Sequence, residues 1–67
     1  MSREQARANL EAARAEVRAV QDTITLEDSF LMLQNRVETV ELMAKQMAQK
    51  EALQKVINAQ EELRAAN

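Results

Sequence analysis

Cysteine, histidine, glycine, proline, tryptophan and tyrosine are all absent from this 67-residue sequence, and the aromatic content is one phenylalanine. Each absence removes a class of explanation. Without Cys there is no disulfide, and without Cys or His a structural zinc site has neither of its usual ligands. With His, Cys and Tyr the common general bases and the thiol nucleophile are missing, and carboxylates or Lys would have to serve. Glu61 and Glu62 are adjacent and point to different sides of a helix. Glu38 and Glu41 are three apart and could share a face, but no glycine loop or aromatic wall accompanies them to build a pocket. The expectation is a protein that is not an enzyme, with no cofactor and no metal.

Basic excess is lacking too. A formal charge of −2 argues against a nucleic-acid or anionic-membrane surface. No apolar run approaches the ~20 residues of a membrane span, and no signal-peptide core is evident at the N-terminus. A cytoplasmic protein is expected by default. The partners left are a second copy of the chain, another protein, or both.

What remains is helix-forming. Gly and Pro are absent, 46% of the residues are apolar and 30% are charged, so a periodic apolar seam can be covered by polar flanks. One domain at most fits in this length. A domain of about 60 residues buries only about 60% of its unfolded surface, so helix packing and self-association have to supply the stability.

Two helical periods are legible. Ala6, Leu10, Ala13, Val17, Val20 and Ile24 recur at spacings of four and three, placing a helix over about 3–21. Ser2 and Gln5 have capping-box spacing at its start. Arg3, Arg7, Glu11, Arg14 and Arg18 form its solvated side, with Arg7–Glu11 and Glu11–Arg14 spaced for ion pairs. Asp22, Thr23, Ile24 and Thr25 favour caps and turns over helix interiors, and the apolar phase slips by two between Ile24 and Leu26. A turn is expected at 22–25, and Thr25 with Asp28 forms a second cap.

The second period runs from Leu26 to Leu63 through Phe30, Leu33, Val37, Val40, Ala44, Ala48, Ala52, Val56 and Ala59. It predicts one helix over 26–64, with Leu31, Leu42 and Leu53 forming another line at spacings of eleven. A first helix of about 28 Å would cover only the first half of this one, leaving Met47 to Leu63 without an intrachain partner. Hence the residues expected to bind a partner are Leu31, Leu42, Leu53, Val56, Ile57 and Leu63, with Met43 and Met47 adaptable beside them.

The fold expected is all-α: an antiparallel helical hairpin that dimerises into a four-helix bundle or coiled-coil assembly. Its function would be protein–protein interaction, as an adaptor, assembly factor, co-chaperone or small inhibitor presenting an amphipathic helix. Two alternatives stand beside it: a small helical regulatory subunit of a nucleic-acid enzyme, or an architectural coiled coil made of one continuous helix of about 100 Å. The run Thr25–Phe30, with Val37 and Val40 after it, loosely resembles the turn and second helix of the exonuclease VII small subunit. That family carries glycine in both places and this chain has none. Small secretion-system co-chaperones are similar in outline only, and neither resemblance assigns a role to any residue.

Overall fold

The structure is a computed structural model that describes residues 2–66. The chain is all-helical among the described residues, with α1 at Arg3–Asp22, α2 at Leu26–Leu33 and α3 at Val40–Ala65. Three helices replace the expected two. The single helix over 26–64 is broken at 34–39, and the continuous-helix alternative fails with it, since the molecule measures 43 × 17 × 16 Å.

Each helix begins at a hydroxyl cap. The Gln5 amide donates to Ser2 Oγ at 3.2 Å, satisfying one free N–H of the first turn. The reciprocal half of that capping box is absent, because the Gln5 side-chain amide donates forward to Asn9 Oδ1. At Thr25 the box is complete: the Asp28 amide donates to Thr25 Oγ1 at 3.0 Å, and the Thr25 amide donates to Asp28 Oδ2 at 3.1 Å. Thr39 starts α3 by accepting from the Leu42 amide at 3.1 Å.

The break after α2 has its own chemistry. Asn35 lies in the left-handed region at φ 58°, the conformation that usually recruits glycine, and Asn is the commonest substitute. The Arg36 amide donates to the Leu31 carbonyl at 2.9 Å and the Asn35 amide to the Met32 carbonyl at 3.1 Å. Those two bonds make a Schellman motif, which closes the last turn of α2 and turns the chain away. Apolar spacing carries straight through this point, from Leu33 to Val37 to Val40, so the period conceals a stop that the backbone chemistry enforces.

Packing joins α1 to α3. Leu10 and Ala13 meet Ala59, with Val56 and Leu63 packed alongside, and Glu16 meets Lys55. Nearer the turn, Ala19 and Val20 line a concavity with Ala44 and Ala48. Position along α1 thus rises as position along α3 falls. This overturns the expectation that the C-terminal half has no intrachain partner, while Met47, Leu53 and Ile57 of that half stay exposed. Once the chain restarts at Val40, a helix of about 39 Å lies back along α1 and is covered as far as Leu63.

The core is thin. Among the described residues six hydrophobic ones are buried, and four of them are alanines: Ala6, Ala13, Ala52 and Ala59, with Leu10 and Leu42. Small side chains let the two backbones approach closely, at the cost of little apolar area removed from water.

Candidate interaction surface

The residues expected to meet a partner separate into three groups. Leu42 is buried, 4% exposed, and lines one concavity together with the half-buried Leu31 of α2. Val56 and Leu63 are half-buried against the Leu10–Ala13–Ala59 cluster. Met43, Met47, Leu53 and Ile57 are exposed.

Leu42 and Leu53 are eleven residues apart, which returns to within about 20° on a helix. They share a side of α3. Leu42 is buried beside the concavity that α2 also lines, whereas Leu53 is 45% exposed and lines an open groove with Arg14, Val17, Arg18, Gln21 and Val56. The groove lies between α1 and α3, and no residue of α2 lines it.

Three strongly exposed apolar residues are ones the periodic pattern places inside. Leu26 is 89% exposed, Leu33 86% and Phe30 61%. At 100° per residue the three fall within about 60° of one another, forming one stripe along α2. They line a depression of about 640 Å³ on the outer side of that helix. Asp28, Leu31 and Met32 lie on the opposite, half-buried side. The helix is apolar both toward the body of the protein and away from it, and no residue of it is fully buried. The sequence signal for this was present in Leu-Glu-Asp-Ser-Phe-Leu-Met-Leu, where five of eight positions are large and apolar and cannot share one side.

Ion pairs fix the frame around this surface. Lys45 Nζ lies 2.8 Å from Asp28 Oδ2, with both side chains about four-fifths covered, and 3.9 Å from Glu41 Oε1. The Lys45 ammonium, followed by the Thr25 amide, holds the Asp28 carboxyl below its ordinary value, and Asp28 in turn raises Lys45. Lys55 Nζ meets Glu16 Oε1 at 2.9 Å across α1 and α3, and Glu16 raises its pKa. Arg36 and Glu38 pair at 3.6 Å within the loop. Glu38 therefore stands outside α3 and shares no helical face with Glu41.

No group of three potential metal-ligating side chains occurs among the described residues. No helix among them is long and apolar enough to cross a membrane. Comparison with protein-family models, with curated proteins and with solved structures returned no match.

Proposed function

We propose that this chain is a non-catalytic protein–protein interaction module that works as a homodimer, an antiparallel helical unit contributing half of a larger helical bundle. The observation that carries the reading is the imbalance between core and surface. Four of the six buried residues are alanines, while Leu26, Phe30, Leu33, Val40, Met43, Met47, Leu53 and Ile57 remain exposed. Burying each such large side chain is worth about 1.5–3 kcal/mol, far more than the alanines supply. Apolar surface of this extent on a small chain favours association. The roles compatible with it are those of an adaptor, an assembly factor or a small inhibitor.

Light scattering across a dilution series, with a thermal melt at each concentration, tests the reading. The expected result is a mass of twice the 7.6 kDa chain and a melting temperature that rises with concentration, because folding and association are then linked. A monomer at every concentration, with a constant melting temperature, overturns self-association.

A further inference from the structure

We infer that the dimer forms by reciprocal exchange of α2: the outer stripe of α2 in one copy seats in the open α1–α3 groove of the other. The inference rests on the self-association proposed above and adds its geometry. A helix that is apolar on opposite sides is one that lies between two layers. In α2 the inner side, with Leu31, faces its own chain, and the outer stripe of Leu26, Phe30 and Leu33 faces outward.

The second layer has an open groove on the same side of α3. Along one side of α3, Leu42 is buried at the concavity that Asp28 and Leu31 of α2 line, and Leu53 is open about 16 Å further on. An eight-residue helix is about 12 Å long, so a second α2 fits beyond the first within the 43 Å length of the molecule. A two-fold axis perpendicular to that length brings each α2 over the partner's groove and makes the two contacts equivalent. The result is a sandwich in which two α2 helices, end to end, form a middle layer between two α1–α3 pairs.

Charge agrees with this placement. α2 carries Glu27 and Asp28 and no basic residue, and Asp28 is engaged by Lys45, so Glu27 is the exposed acid beside the stripe. Arg14 and Arg18 line the groove it would enter. Area agrees as well. A folded monomer of 7.6 kDa is expected to expose about 4300 Å² by the usual area–mass scaling, and this chain exposes 5255 Å². The surplus of about 950 Å² is close to the roughly 800 Å² that each partner contributes to a standard interface.

The sequence contains no cysteine, so disulfide trapping reads the geometry directly. A tagged Phe30→Cys chain is mixed with an untagged Leu53→Cys chain and oxidised. The mixed disulfide is expected to dominate, and to form faster than a control pairing Phe30→Cys with Ala15→Cys, where Ala15 is an exposed position on α1. Dominant Phe30→Cys self-linked dimers, or a mixed product no faster than the control, overturn the placement. Phe30→Asp is a second test: it should retain its helical circular dichroism while its dimer dissociation constant rises about tenfold or more. A Phe30→Asp chain that dimerises like wild type overturns the exchange. A wild-type chain that is monomeric throughout removes self-association itself, whereas a wild-type dimer with either contrary result removes only this arrangement.

Discussion

Lys45 Nζ stands 2.8 Å from Asp28 Oδ2 across 17 residues, and this contact ties α2 to the body of the protein. The same Asp28 oxygen accepts the Thr25 amide that closes the cap of α2. One carboxylate therefore both starts the helix and docks it. The acid N-terminal turn also suits the positive end of the helix dipole.

This double role fixes the pH dependence. Asp28 has a folded pKa below its ordinary 3.8, chiefly through Lys45, so its stabilisation is present above that value and is lost as pH falls through the folded pKa. Lys45 is raised above 10.5 by Asp28, so its share is present below 10.5 and lost as pH rises through the folded value. Thermal melts of wild type and Asp28→Asn should differ at neutral pH and converge in acid. A difference that persists unchanged below the folded pKa would refute the assignment.

The Schellman turn predicts an ordering at position 35. Asn35→Gly should be neutral or slightly stabilising, and Asn35→Ile should cost about 1–2 kcal/mol, because a β-branched side chain resists the left-handed region. Urea denaturation of the two variants measures it. Equal stabilities would mean that the loop adopts another conformation in solution.

Thr39→Ala should cost about 1 kcal/mol through the cap lost from the Leu42 amide, and Thr39→Ser should recover most of it. If the alanine variant melts with wild type, α3 does not begin where the structure begins it.

Overpacking distinguishes the alanine core from its surroundings. Ala59→Leu inserts a branched side chain between α1 and α3 and should destabilise by about 1–3 kcal/mol. Ala15→Leu, at an exposed position of α1, should be close to neutral. The comparison fails if both variants respond alike.

The first helix and its turn were legible in the sequence because period and chemistry agree there. Ala6, Leu10 and Ala13 follow the heptad and are buried, and Thr25 and Asp28 form the cap that their spacing implies. The break at 34–39 was not read, since Leu33, Val37 and Val40 continue the helical spacing and no Gly or Pro interrupts it. Asn35, able to take a left-handed turn, and Thr39, three residues before Leu42, were the available signals. Missing that break misplaced the surface. The unbroken period puts the outward stripe of α2 in a seam and leaves the C-terminal half of α3 bare, although α1 covers one side of it. Leu53 and Ile57 were exposed residues found for a different reason from the one proposed.

The attachment of α2 has a consequence for the order in which the chain comes apart. α1 and α3 share a contact surface running most of their length, so their amides are protected until the pair separates as a unit. α2 is eight residues long, has no fully buried side chain, and is tied to α3 by the Asp28–Lys45 ion pair. Too short to persist alone, α2 is expected to open locally before the α1–α3 pair separates, which amide exchange on the monomer would read as weaker protection over 26–33. The protein thus has a durable two-helix spar and a latch that moves on its own clock.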